Sequence, residues 1–293
     1  MAPLIAVNTF VWHSLITTEQ LEDVARRVAQ WGFDAIEIPL EREGDWDPAA
    51  AGALFSELGL TPVVGAVMPP GRELVAAAPE VVADTQRYLR RCVDVAVTIG
   101  AARVIGPIYA SVGRTWRMTP QERRAMVGEL REALRPVADH AGEHGVQLGV
   151  EPLNRFETSV LNTTAQALEL VDGLPPDCVG LNLDTFHMNI EERSLPEAVR
   201  EAGERLVHLH TCANDRGAPG RDHIDWDGIG AALAEVGYDG VLGIESFTVD
   251  NDTIATAAAI WRPLAPSPDA LAQDGLAFLR SWTGGWAVSP ARG

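Results

Sequence analysis

Four ionisable residues stand at or just past the ends of short apolar runs. Glu151 follows the run 146–150, Asp184 the run 179–183, His210 the run 206–209, and Glu245 the run 241–244. A buried strand gains nothing in folding free energy by ending in a charge, so these positions are candidates for chemistry. Three carboxylates and one imidazole make a hard, oxygen-rich donor set with a single nitrogen. Such a set suits Mn²⁺, Mg²⁺ or Co²⁺ better than structural zinc, whose sites favour thiolates. Any one of the four alone reads equally well as a loop cap or an arginine partner. Three carboxylates crowded together repel unless a cation or protons compensate, so the set is read as the ligands of one divalent ion. A second imidazole, His187, follows Asp184 on what is expected to be the loop leaving the same strand.

A barrel would bring these four positions together. Candidate strands at 4–7, 35–38, 61–67, 103–105, 146–150, 179–183, 206–209 and 241–244 alternate with helical patterns at 17–31, 48–58, 79–99, 120–144, 163–171, 195–202 and 226–236. Further helix is expected at 253–261 and 269–282. In the first helix Leu21, Val24, Ala25 and Val28 share a face and Gly32 ends it; Asn162 is placed to cap the fifth. The strands are too continuously apolar for burial on one face, which specifies a parallel sheet covered by helices. Eight such units point to a closed (β/α)8 TIM barrel. It is expected to be one domain over 1–293, with 283–293 as a frayed tail. No G-x-G-x-x-G follows the first strand, which argues against a dinucleotide fold.

Chemistry in such a barrel sits at the C-terminal ends of the strands, where the four residues stand. Strand alternation turns His208 inward with His210 and puts Asn182 beneath Asp184. Gly149 and Gly243 then lie beneath the two glutamates. This polar, small-residue layer fits a role in orienting the ligands, and a hydrogen-bonded core role for His208 is compatible with it.

Composition narrows the partners. With 293 residues, 46% apolar, and a net charge of −18, the chain is suited to a large core and opposed to nucleic acid or anionic membranes. No run approaches ~18 apolar residues, so no membrane span is expected. The N-terminus lacks a signal-peptide pattern, and Cys92, Cys178 and Cys212 have no metal-like spacing; both point to the cytoplasm. The loop after the last strand, Ser246 to Asp252, is acidic and lacks glycine. The segment 217–220 is the only glycine-bearing candidate for a phosphate clamp, and turn-making suits it better. An unphosphorylated sugar is favoured. Phe10, Trp12, Tyr109 and Trp116 follow the ends of strands one and four and are candidate pocket walls, with plain packing as the alternative.

The chain resembles the ketose 3-epimerases (D-tagatose 3-epimerase and D-allulose, or D-psicose, 3-epimerase) within the xylose isomerase-like TIM barrels. The resemblance is carried by Glu151-Pro152-Leu153-Asn154-Arg155-Phe156-Glu157 and by Leu183-Asp184-Thr185-Phe186-His187-Met188-Asn189-Ile190-Glu191-Glu192. It continues through His208-Leu209-His210 followed by Arg216-Gly217, Gly237-Tyr238-Asp239-Gly240 and Glu245-Ser246-Phe247. It implies that Glu151, Asp184, His210 and Glu245 bind one divalent ion, usually Mn²⁺, Co²⁺ or Mg²⁺. It also implies that Glu151 and Glu245 double as the acid/base pair, and that Glu157, His187 and Arg216 hold the O1–O3 end of a ketose. A homodimer or homotetramer is implied as well. Ala213 departs from the family, which often has glutamate there, as does Ser246, where some relatives have proline.

The implied chemistry is coherent with the bare residues. Two carboxylates on opposite faces of a planar cis-enediolate are what inversion at C3 requires. The same site would serve aldose–ketose isomerisation of a hexose, an inosose or hydroxypyruvate, or elimination from a 3-keto glycoside. From other classes, a multi-zinc endonuclease predicts a basic face and more histidines than the seven present, and a non-catalytic sugar-binding barrel needs no acid/base pair.

Overall fold

The computed structural model describes residues 2–286. In chain order the elements are β1 (Leu4–Asn8), α1 (Thr18–Trp31), β2 (Ala35–Leu40), α2 (Pro48–Leu58), β3 (Thr61–Ala66), α3 (Pro79–Ile99), β4 (Arg103–Gly106), α4 (Pro120–Glu143) and β5 (Gln147–Val150). The second half has α5 (Thr164–Val171), β6 (Val179–Asp184), α6 (Thr185–Glu191), α7 (Leu195–Ala202), β7 (Leu206–His210), α8 (Trp226–Glu235), β8 (Val241–Ile244), α9 (Asp252–Ala257) and α10 (Pro268–Gly284). The strands pair in sequence order, and parallel pairing of β8 with β1 closes the barrel.

Local signals set the helix ends. Thr17 and Gln20 form a reciprocal capping box at the start of α1, and Gly32, at φ 92°, ends it in the left-handed region. A cap of this kind contributes about 0.5–2 kcal/mol. The buried stripe Leu21, Val24, Ala25 and Val28 then packs on the strands. Each large side chain buried this way contributes about 1.5–3 kcal/mol.

Two apolar cores follow from strand alternation. The larger lies between strands and helices. The smaller sits inside the barrel, where Ala6, Ala35, Val63, Ile105 and Val241 form a floor. Above that floor the inward residues become polar: the register pairs Asn8 with Glu37, Asn182 with His208, and Asp184 with His210.

Several local expectations are corrected. The segment after β6 is a helix, α6, because the Asp184 carboxylate accepts from the Phe186 N–H and caps it. The cap of α5 is Thr163, which accepts from Gln166 N–H; the Asn162 amide instead donates to the carbonyls of Leu153 and Thr158. The helix expected at 253–261 stops at Ala257, where Ala259 turns to φ 54°. Residues 283 and 284 complete α10; the part of the expected tail from 287 onward lies outside the described residues. Among the described residues no helix is long and apolar enough to cross a membrane.

Candidate metal centre

Asp184 and His210 are the last residues of β6 and β7, while Glu151 and Glu245 fall one residue past β5 and β8. Parallel register turns all four toward the barrel mouth. Each offers a donor atom, and these atoms lie within 4.8 Å of one another. The His210 Nδ1 is 3.3 Å from Glu151 Oε1, 3.7 Å from Glu245 Oε2 and 3.9 Å from Asp184 Oδ2. With ligand bonds of about 2.0–2.2 Å, neighbouring donors around one ion stand about 3 Å apart and opposite ones about 4 Å. The four residues fit a divalent ion in both chemistry and spacing.

Their electrostatics point the same way. Burial lifts the Glu245 carboxyl to about 7, with Glu151 and Asp184 pushing in the same direction against His210 and Arg216. Burial would lower the His210 imidazole, yet Glu245, Glu37 and Glu151 raise it well above its ordinary value. The ring thus attracts positive charge, as protons or as a cation.

Directly beneath lies a further carboxylate, one that does not stand at a strand end. Glu37 is fully buried in β2, and its carboxylate meets His208 Nε2 at 2.7 Å, His210 Nε2 at 3.1 Å and Asn8 Nδ2 at 3.3 Å. Burial opposes its charge, but His210 and His208 hold it far below the usual carboxylate range. A signal was present: in Ala35-Ile36-Glu37-Ile38 an acid stands mid-strand at an inward position, flanked by apolar residues. His208 does point into the barrel, as alternation required. Gly243 leaves the space that the Glu37 carboxylate occupies, since a Cβ there would lie 1.8 Å from its Oε1.

The other sequence-derived residues converge on the same mouth. Arg216 Nη1 donates to Asp184 Oδ2 and Glu245 Oε2, both at 2.8 Å, and the guanidinium lies over the rings of Phe186 and Phe247 at 4.3 and 5.1 Å. Arg216 is 5% exposed and has φ 69°, so it is no ordinary surface salt bridge. His187 is buried on α6 beside Arg216 and Asn154, and the Asn154 amide also donates to Glu157 at 2.8 Å. Ala213 is buried in a tight turn closed by the Arg216 N–H on its carbonyl.

The proposed aromatic walls divide. Phe10 lines the cavity at the mouth, with Pro39, Val67, Ile105 and Pro107 and beside Glu151, His210 and Glu245. Trp12, Tyr109 and Trp116 do not line it. The Trp12 indole donates to Asp269 and packs with Trp31 and Arg27. The Tyr109 hydroxyl donates to the Glu151 carbonyl from within the core, and Trp116 lies against Arg114. The polar tips of the first two are thus already used elsewhere. In the 217–220 segment, Gly217 N–H bonds the Asp215 carboxylate, a turn rather than a phosphate cradle.

Comparison with known proteins agrees with this geometry. The xylose isomerase-like TIM barrel family matches residues 25–282. A probable ketose 3-epimerase of Synechocystis sp. is 36% identical over 274 residues, 94% of each chain. The solved structure of an L-ribulose 3-epimerase superposes with a TM-score of 0.90 at 28% identity, covering 99% of this chain and 100% of the other. A D-allulose 3-epimerase from Methylomonas sp. in complex with D-allulose gives a TM-score of 0.87 at 27% identity, covering 96% and 97%.

Proposed function

Since the chain belongs to the xylose isomerase-like TIM barrel family and has ketose 3-epimerase homologues across nearly its whole length, we propose that it epimerises an unphosphorylated ketose at C3 with the help of one divalent ion. The observation that carries this reading is the convergence of donor atoms from Glu151, Asp184, His210 and Glu245. Those four residues would hold the ion, with Mn²⁺ the first choice and Co²⁺ or Mg²⁺ compatible with the same donors. An ion held by these residues would supply Lewis acidity to the bound ketose, which would ease loss of the C3 proton.

The chain's own groups do the rest. Glu151 and Glu245 come from strands on different sides of the mouth, so one can take the C3 proton and the other return one to the opposite face of a cis-enediolate. The direction of reaction decides which acts first. Glu157, His187 and Arg216 would hold the O1–O3 end, His187 and Arg216 as donors to oxygen. Phe10, Val67 and Pro107 would exclude water on the opposite side. The 217–220 segment is a turn rather than a phosphate cradle, which supports an unphosphorylated substrate. The unpaired Cys92, Cys178 and Cys212 suit a reducing cytoplasm, and the exposed Phe156 and Trp261 suit burial between subunits of a homodimer or homotetramer.

Proton NMR in D₂O tests the reading on metal-depleted protein and on protein reconstituted with Mn²⁺ or Co²⁺. The substrates are D-fructose, D-allulose, D-tagatose, L-ribulose and an aldose panel. Deuterium at C3 together with the C3 epimer is expected, and only with the ion restored. Label at C1 or C2 with an aldose product would instead establish an aldose–ketose isomerase. No exchange at any ketose carbon would end the proposal.

A further inference from the structure

We propose that Glu37 is the positioning residue of the metal centre, holding His210 in the tautomer whose Nδ1 lone pair faces Glu151, Asp184 and Glu245. The inference rests on the reading of those four residues as metal ligands.

The argument begins with proton accounting. An ionised carboxylate only accepts hydrogen bonds. Glu37 meets the Nε2 atoms of both His208 and His210, at 2.7 and 3.1 Å. Each ring must therefore carry a proton on Nε2 to satisfy it. For a neutral His210 this leaves Nδ1 bare, and Nδ1 is the atom that points into the ring of carboxylates. A ligating imidazole needs that unprotonated nitrogen, and a carboxylate on its other nitrogen both fixes the ring and makes it a better donor.

Folding alone gives no reason for a carboxylate here. Strand β2 runs between β1 and β3, and an apolar residue at 37 would join Ala35 and Val63 with no charge to desolvate. What a carboxylate adds is a directed acceptor, and its surroundings are shaped to keep it in place. Asn8 donates to Oε2 from the neighbouring strand at 3.3 Å. His208 pins Oε1, and its own Nδ1 meets no hydrogen-bond partner among the described residues, so this ring's polar contact there is with Glu37. The rings of His208 and His210 meet edge to face, at 83° and 5.1 Å, which lets one carboxylate reach both. A Cβ at Gly243 would fall 1.8 Å from Glu37 Oε1 and 2.9 Å from His208 Nε2. The glycine opposite His210 in β8 is thus the space into which the carboxylate fits.

Metal binding gives the test. Metal-depleted wild type, Glu37→Gln and Gly243→Ala are titrated with Mn²⁺ by calorimetry and with Co²⁺ by visible absorption, and their metal-free unfolding midpoints are recorded. Wild type is expected to bind one ion. Glu37→Gln is expected to bind about 10–100-fold more weakly with an altered Co²⁺ band pattern, since lost outer partners of a metal-bound histidine typically cost this much. Gly243→Ala keeps every polar group but displaces the carboxylate, and is expected to weaken binding in the same direction; it decides the matter if Glu37→Gln does not fold. Native affinity and a native Co²⁺ spectrum in the folded variants would overturn the inference, whatever happened to the unfolding midpoint. If wild type itself binds no divalent ion, the metal centre falls and this inference falls with it.

Discussion

The Nδ1 atom of His187 accepts a hydrogen bond from the backbone N–H of Asn154 at 3.1 Å. A backbone amide cannot reverse its role, so the imidazole carries its proton on Nε2. Burial, reinforced by Arg216, keeps the ring neutral by lowering its pKa. Its Nε2–H therefore stands 3.0 Å from another donor, Arg216 Nη2. Two converging donors suit an oxygen that gains negative charge during reaction.

His187→Ala is expected to lower kcat/KM by about 10²–10³, the usual effect of losing one such donor, while Mn²⁺ affinity stays near the wild-type value. His187→Gln, whose amide reaches the Nε2 position, should recover part of the loss. Steady-state kinetics beside metal calorimetry checks both, and a fully active alanine variant would remove His187 from the site.

Glu151→Gln separates acid/base work from folding. The amide keeps an oxygen for the ion and removes a base, so C3 exchange in D₂O should fall by about 10²–10⁴. The variant is expected to fold normally, because it also removes one of three crowded negative charges. Parallel circular dichroism and exchange measurements check this. Unchanged exchange would pass the base's role to another group.

The barrel and its four strand-end residues were legible because each depends on a periodic or positional signal. Continuous apolar strands, a helix ended by Gly32, and charges at the ends of strands are all visible one residue at a time. Glu37 shows in the sequence only as an acid within an apolar strand; its role lies in contacts with His208 and His210, on a strand more than 170 residues away in the chain. The helix at Thr185–Glu191 is hidden for a related reason: Asp184 has the position of a ligand, and it also caps the turn that follows. Trp12 packs with Trp31 and Arg27 and bonds Asp269, because an aromatic residue past a strand end can turn outward to the helices as readily as inward.

Glu245 gives a pH dependence with a definite sign. Its folded-state pKa stands near 7, against an ordinary 4.5, so between these values the folded metal-free chain binds more protons than the unfolded one. This contribution to stability is complete below the unfolded value and is lost as pH rises through about 7. A divalent ion must displace the same proton, so affinity for Mn²⁺ should climb over that window. Thermal midpoints and calorimetry between about pH 5 and about 8 check both trends, and Glu245→Gln should flatten them.

Arg216 should separate binding of the ion from catalysis. Its guanidinium is a buried positive charge against Asp184 and Glu245, two of the residues assigned to the ion. A like charge this close opposes a cation. Arg216→Gln is therefore expected to bind Mn²⁺ about tenfold more tightly, measured above about pH 8 so that protons do not compete. The same change removes the donor beside His187 and the cation between Phe186 and Phe247, so kcat/KM should fall by about 10² or more. Arg216→Lys keeps the charge but has no planar fork to reach Asp184, Glu245 and the His187 side together. It should leave metal affinity near native and still lose most of the activity. If both variants weaken Mn²⁺ binding, Arg216 acts chiefly by holding the two carboxylates in place, and the assignment of its guanidinium to the substrate fails.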